Sequence, residues 1–307
     1  MVQRAAGKQA LGIFGGVRAV RSMASLQTSG PWTFHDDMSL THANYLDATL
    51  SGHLPIPCEP RTKGSAATPG SHLVFFNHAF PEAQLSADGY DNSQAPVGDY
   101  PNRRWYGGSI AFNIATDLKL GIPAKCEEVV SDVRFSGDKT RVNVSIERTM
   151  SNEGDQNWAV RERRSMFYFA NDPKLIERQF KFIKPQYTPH HTHIVQPSRI
   201  LLFRYSALNF NSHLIHYDTI YSREREHLPE VIVQGPLMVT MALWWVSEAI
   251  LGSSKRKIST FTYRNLAPMT VDEQATFCAA QITQDLYEVW IQNPDGGVVL
   301  SGQLLVR

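Results

Sequence analysis

The chain has 307 residues, 42% of them apolar, with 30 basic and 29 acidic side chains. That length suits one large domain or two of ordinary size, and the balanced charge excludes the basic stripe of a nucleic-acid-binding surface. Cys58, Cys126 and Cys278 are scattered without CxxC spacing, which argues against a zinc site or a disulfide scaffold, and no segment is apolar enough to span a membrane.

Residues 1–30 carry Arg4, Lys8, Arg18 and Arg21, and no Asp or Glu occurs before Asp36. An acid-free, Arg-bearing N-terminus reads as a mitochondrial transit segment and points to the mitochondrial matrix. Within 36–50, Leu40, Ala43, Leu46, Ala48 and Leu50 form a partial apolar stripe, which predicts a short helix. The prolines and Gly64 make 55–69 a loop. Ser71 to Phe76 reads as a short strand, and 81–99 as a second loop. Strands are expected over roughly 105–112, 126–134, 141–150 and 158–169. Val142, Val144 and Ile146 alternate there with Asn143, Ser145 and Glu147, as in a half-buried antiparallel strand. These elements make 31–170 an N-terminal domain whose own central helix is not evident. Pro173, Pro185, Pro189 and Pro197 mark 171–198 as a linker. The neighbouring His190, His191 and His193 have no acidic or cysteine partner nearby and suggest no metal site.

The C-terminal domain, 199–307, holds the most informative stretch. Asn211-Ser212-His213-Leu214-Ile215-His216-Tyr217-Asp218 is polar and rich in histidine. After it, Gly235-Pro236 opens a helix that stops at Gly252. Proline is tolerated at a first helical position, where its missing N–H would be unpaired anyway. Glycine closes helices in the left-handed conformation. From Leu237 to Leu251 the only charge is Glu248, and a helix apolar all round is a buried one. At about 1.5 Å per residue it is roughly 24 Å long, too short for a bilayer. The segments 257–264, 275–292 and 298–306 are rich in β-formers and read as strands, with a turn at 293–297. A buried helix wrapped by an antiparallel sheet is the hot-dog arrangement.

These residues resemble the MaoC-type, or R-specific enoyl-thioester hydratase/dehydratase, family. There a motif with Asp, Asn-Pro and His precedes the central helix, and a Gly opens that helix. The matching positions here are Asn211, His213-Leu214 and His216, with Gly235. Asn102-Arg103-Arg104-Trp105-Tyr106-Gly107-Gly108-Ser109 and His72-Leu73-Val74-Phe75-Phe76 are similar to the N-terminal half of the two-domain branch. That branch contains the hydroxyacyl-thioester dehydratases type 2 and the mesaconyl- and itaconyl-CoA hydratases. The resemblance covers about 35–307. It implies an α+β double hot-dog of two antiparallel sheets, the C-terminal one wrapped around a long central helix. It also implies a hydro-lyase acting on an acyl thioester of coenzyme A or acyl carrier protein, with no cofactor and no metal, as a monomeric pseudo-dimer or a homodimer.

Under that resemblance His216 is the expected acid–base residue, its ordinary pKa of about 6.5 suiting proton transfer at neutral pH. Taken alone, without the motif, it reads rather as a buried histidine bonded to a backbone carbonyl. Asn211 stands where better-known members carry Asp. An amide orients water or a hydroxyl but accepts no proton as a base, and the same residue suits a turn. Gly235 would offer its N–H, at the positive end of the helix, to the thioester oxygen. Arg103 and Arg104 are candidates for substrate binding across the domain seam and, beside Trp105, equally for packing and ion pairing. Lys255, Arg256 and Lys257 are candidates for docking a phosphopantetheine arm or a carrier protein, beside the plainer reading of favourable charge at a helix C-terminus. The expected activity is dehydration of a 3-hydroxyacyl thioester in mitochondrial fatty acid synthesis. The alternatives are hydration of a C5 dicarboxylyl-CoA, and acyl-CoA binding without catalysis.

Overall fold

The computed structural model describes residues 30–55, 60–96, 98–172, 182–252 and 254–307. All of the expected transit segment except Gly30 lies outside the described residues, as does Cys58. The strands are β1 (Trp32–Asp36), β2 (Asn102–Phe112), β3 (Ala124–Phe135), β4 (Arg141–Asn152), β5 (Val160–Phe169), β6 (His191–Val195), β7 (Ile258–Asn265), β8 (Ala275–Gln281), β9 (Leu286–Gln292) and β10 (Val298–Val306). The α-helices are α1 (Leu40–Leu50), α2 (Arg199–Leu208), α3 (Thr219–Glu224) and α4 (Gly235–Trp245). Val142, Val144 and Ile146 of β4 turn inward and are buried, whereas Arg141 and Glu147 are exposed, because successive side chains of a strand alternate between its faces.

Among the described residues, the ten strands are antiparallel and form one sheet in the order β1-β3-β4-β5-β2-β7-β10-β9-β8-β6. The order is a palindrome. Each half is a strand, a helical stretch (α1 in the first, α2 to α4 in the second) and four further strands, and the halves meet where β2 pairs with β7, from Gly107 opposite Arg264 to Ala111 opposite Thr260. So the two expected sheets are joined edge to edge into one. The glycine pair of the N-terminal motif explains how. A Cβ at Gly107 would lie 2.4 Å from the Tyr263 carbonyl oxygen, and one at Gly108 would lie 2.2 Å from that of Arg163. No side chain fits between strands that close.

The concave face wraps α4, in which every residue from Leu237 to Trp245 is buried. Helix α4 widens into a π-helical turn over Val246–Leu251 and ends at Gly252, whose φ is 47°. In the N-terminal half the place of a central helix is taken by Ser71–Phe76. This stretch was expected to be a strand. It is a single 3-10 turn, Ser71–Val74, followed by Phe75 in an extended conformation and Phe76 at a φ of 56°. All six residues are buried, so the period-2 exposure of an ordinary strand has no part to play. The segment 171–198 is also more than a linker, since β6 pairs with β8. The segment 275–292 is two strands. Ile282 N–H donates to the Leu286 carbonyl across a turn whose Gln284 and Asp285 interrupt the β-formers.

Candidate functional site

Helix α2 ends at Leu208, and the backbone then passes through Phe210 at a φ of 52°, a conformation costly for any residue with a Cβ. The loop that follows is locally stitched. Asn211 Oδ1 accepts the His213 backbone N–H at 3.0 Å, and Leu214 to His216 make a 3-10 turn. Asp218 caps α3 by accepting the Tyr221 N–H at 2.9 Å. The chain returns along the loop, with Ile232 N–H donating to the Ile215 carbonyl at 3.0 Å. Three residues later α4 begins. Its cap residue Gln234 is buried, and its Nε2 donates to the Leu202 carbonyl at 2.9 Å and to Ser206 Oγ at 2.8 Å.

His216 is buried, and its Nδ1 lies 2.8 Å from the Ile232 carbonyl oxygen. A carbonyl only accepts, so Nδ1 carries the proton and Nε2 carries the lone pair. Burial, together with the neighbouring His213 ring, brings the pKa of His216 down to about 3, so the ring is neutral at physiological pH. The two rings stand edge to face, with centroids 5.6 Å apart.

His216, His213, Asn211 and Gly235 all line one cavity of about 1090 Å³. Its walls come from both halves of the sheet: Phe76, Tyr90, Trp105 and Phe167 from the first, Phe203 and Met238 from the second. Trp105 packs beside Gly235, where an added Cβ would sit 3.5 Å from Trp105 Cβ and 3.1 Å from Asn265 Nδ2. Asn265 Nδ2 in turn donates to the Trp105 carbonyl at 2.9 Å, and Trp105 Nε1 donates to the Tyr263 hydroxyl at 2.9 Å. The seam between the halves is thus locked at the mouth of α4.

The cavity's cations come with carboxylates. Arg103 pairs with Asp88 and lies 4.1 Å over the Tyr90 ring. Arg148 contacts Glu128 at 2.8 Å and Glu162 at 3.1 Å, and Arg164 contacts Glu162 at 2.7 Å. His78 bridges Asp91 at 2.7 Å and Glu128 at 3.0 Å. Arg104 lies over Phe169 and in the field of Glu226, and burial lowers its pKa to about 10. These pairings hold Glu128 and Glu162 down at about 2 against the opposing effect of burial.

Lys255, Arg256 and Lys257 are placed elsewhere. They follow the far end of the central helix, roughly 24 Å of helix away from Gly235, and are absent from the lining of the large cavity. Arg256 pairs with Asp285 at 2.6 Å and Lys257 with Asp117 at 2.8 Å. They lie beyond Gly252, past the last turn of the helix, which itself holds no basic residue.

Sequence reasoning passed over Ser86 to Asp91 as loop. This turn clasps the 211–214 segment. Leu214 N–H donates to the Asp88 carbonyl at 2.9 Å, and Ser212 Oγ–H donates to the Gly89 carbonyl at 2.6 Å. Asp88 Oδ2 lies 3.2 Å from His213 Nε2. The Asp88-Gly89 pair signals a turn, but nothing local says that it meets a loop 123 residues further on.

The family profile described as "Hydroxyacyl-thioester dehydratase type 2" matches residues 70–271. A protein of Schizosaccharomyces pombe named "Hydroxyacyl-thioester dehydratase type 2, mitochondrial" is 28% identical over 273 residues, covering 80% of this chain and 89% of its own. The "Mesaconyl-C(4)-CoA hydratase" of Chloroflexus aurantiacus is 30% identical over 276 residues, covering 87% of this chain and 91% of its own. Among solved structures, a MaoC-like dehydratase from Phytophthora capsici superposes with a TM-score of 0.69 at 10% identity, covering 93% of this chain and 98% of that one. A Mycobacterium tuberculosis protein described as a double hot-dog fold has a TM-score of 0.56 at 13% identity, covering 91% of this chain and 97% of that one.

Proposed function

This chain belongs to the hydroxyacyl-thioester dehydratase type 2 family, and from that premise we propose that it interconverts a 3-hydroxyacyl thioester with the trans-2-enoyl thioester and water. One observation carries this reading. The lone pair of the neutral His216 and the amino end of α4 belong to residues lining one cavity, joined through the Ile232 carbonyl only three residues before Gly235. In the dehydration direction His216 Nε2 takes the proton from C2. The Gly235 N–H, at the positive end of a helix, stabilises the negative charge that grows on the thioester oxygen. Asn211 Oδ1 is engaged within its own loop, which leaves Nδ2 as the donor that orients the hydroxyl. The C-terminal half supplies the chemistry, and the N-terminal half, through Arg103, Arg104 and Trp105, supplies the facing wall.

The charge balance favours a neutral acyl tail. A dicarboxylate would require a cation to meet its second carboxyl, yet Arg103, Arg148 and Arg164 already hold carboxylates, Glu226 acts on Arg104, and the exposed Arg141 lies in the field of Asp138. The cavity is also at the large end of the range for small-molecule sites. We therefore favour a fatty 3-hydroxyacyl thioester, on coenzyme A or acyl carrier protein, over mesaconyl- or itaconyl-CoA. The mitochondrial names of two relatives and the acid-free residues 1–30 support a mitochondrial location, with the matrix as the compartment. The β2–β7 pairing joins within one chain what a dimer would join between two, so a single chain would carry a complete site.

The test is a panel of trans-2-enoyl-CoA esters from C4 upward, alongside mesaconyl-CoA, followed by loss of the enoyl-thioester absorbance. Hydration of the straight-chain esters is expected, with kcat/KM rising by up to about fourfold per added methylene, as burial at about 0.8 kcal/mol each allows. A preference for mesaconyl-CoA would reject the fatty substrate. Binding of every ester without any absorbance change would reject catalysis.

A further inference from the structure

Given the dehydratase activity proposed above, we propose that His213 is the acid that protonates the departing hydroxyl, and that Asp88, reaching over from the other half of the sheet, is the positioning residue that keeps the proton on it. Loss of water needs one group to take a proton from C2 and a donor to turn hydroxide into water. Asn211 is an amide and transfers no proton. His216 faces only the neutral Ile232 carbonyl through its Nδ1, so it rests neutral with a lone pair on Nε2 and has no proton there to give before C2 is deprotonated.

His213 differs in one respect. It is equally buried and lines the same cavity, but a carboxylate lies 3.2 Å from its Nε2. The Asp88 carboxylate is fixed in turn by Arg103, by Ser86 Oγ–H and by the Tyr90 N–H. With Nε2 turned to Asp88, Nδ1 is the nitrogen left for the substrate. The charged and titratable groups around His213 are Asp88, Arg103 and Glu226, with the Tyr90 ring at 5.3 Å and the His216 ring at 5.6 Å. Burial is the largest influence and, with Arg103, brings the His213 pKa below its ordinary value, while Asp88 and Glu226 pull it back up toward the protonated ring. The 86–91 turn is built for this contact, because a Cβ at Gly89 would meet the Ser212 carbonyl oxygen at 2.2 Å.

The step balances. The C2–H bond breaks, its proton goes to His216 Nε2, and its electron pair becomes the C2–C3 π bond. The C3–O bond breaks, its pair stays on oxygen, and oxygen takes the proton from His213 Nδ1. The site holds one extra proton before and after, and passing it from His216 back to His213 resets the enzyme. In the hydration direction every transfer reverses.

The experiment compares two eliminations that give the same enoyl thioester, from 3-hydroxybutyryl-CoA and from 3-chlorobutyryl-CoA. Chloride needs no proton to leave. His213→Gln is expected to lower kcat for dehydration by about 10²- to 10³-fold with KM within about threefold, and to slow chloride loss far less. In Asp88→Asn the loss of dehydration activity with rising pH should begin at lower pH, because the carboxylate raises the His213 pKa and the amide does not. Equal slowing of both eliminations in His213→Gln, or an unmoved alkaline limb in Asp88→Asn, would overturn the assignment while leaving the hydro-lyase activity standing. A wild-type protein that catalyses neither elimination would overturn both. If His213→Gln does not fold, the pH profile of Asp88→Asn decides by itself.

Discussion

Replacing Gly89 by alanine tests whether the two halves of the molecule must grip each other for the site to work. Gly89 has a φ of 78°, and an added Cβ would lie 2.2 Å from the Ser212 carbonyl oxygen. The left-handed conformation costs an L-residue about 1–2 kcal/mol. Losing the hydrogen bond from Ser212 Oγ to the Gly89 carbonyl adds about 1 kcal/mol. The clash is with backbone, so the turn and the 211–214 loop must part by about 1 Å, enough to cost on the order of 10²-fold in kcat when the displaced groups do chemistry. Gly52 is the matched control, because its φ is 85° and an added Cβ there meets nothing within 4 Å. Urea denaturation and enoyl-CoA hydration, run on both variants, separate the contributions. Gly52→Ala should lose about 1–2 kcal/mol and keep its activity, whereas Gly89→Ala should lose about 2–3 kcal/mol and about 99% of kcat. Equal stability and equal activity in the two variants would refute the clasp.

Other consequences are as direct. His72 and His216 are buried and neutral, with pKa values brought down to about 4 and about 3 from 6.5. The unfolded chain takes up protons below pH 6.5 before the folded chain does, so stability should fall between pH 6.5 and 4, by up to about 3 kcal/mol per ring. His72→Gln should make that fall roughly half as steep in melting curves. Glu128 and Glu162, held at about 2, add a second loss as pH drops below 4.5 toward 2. Arg148→Met removes the cation shared by both carboxylates, leaving Glu162 to Arg164 and Glu128 to His78, and should cost about 3 kcal/mol in chemical denaturation, with part of the loss recovered by adding Glu162→Gln. Because Lys255, Arg256 and Lys257 sit away from the cavity, replacing all three by alanine should leave KM for a short enoyl-CoA within about twofold. A tenfold rise in KM would restore them to the site.

The sequence showed the C-terminal half more plainly than the N-terminal half. The helix from Gly235 was legible because proline, glycine and an uninterrupted apolar run all mark one element, and the four strands from β2 to β5 because their side chains alternate or their turns are polar. The turn at Ser71–Val74 was not, since a fully buried run of six residues has the same composition in either conformation. The β-strand His191–Val195 hid in a proline-rich, histidine-bearing edge whose exposed side chains carry no periodic signal. Duplication was invisible for another reason. The two halves share a strand order but fill the central position differently, with a long helix in one and a single turn in the other. At the site, the resemblance to the MaoC-type family pointed to His216, Asn211 and Gly235, which line one cavity. The contact of Asp88 with His213 needs a long-range pairing that no local pattern encodes.

The measurement that bears most directly on the whole account is the kcat of His216→Gln for hydration of crotonyl-CoA, taken on protein whose melting temperature is within a few degrees of the parent. Removing the only lone pair offered by this ring should lower kcat by at least about 10³-fold, with little change in KM. A variant that keeps its rate would contradict the account, because no proton could then be leaving C2 through His216.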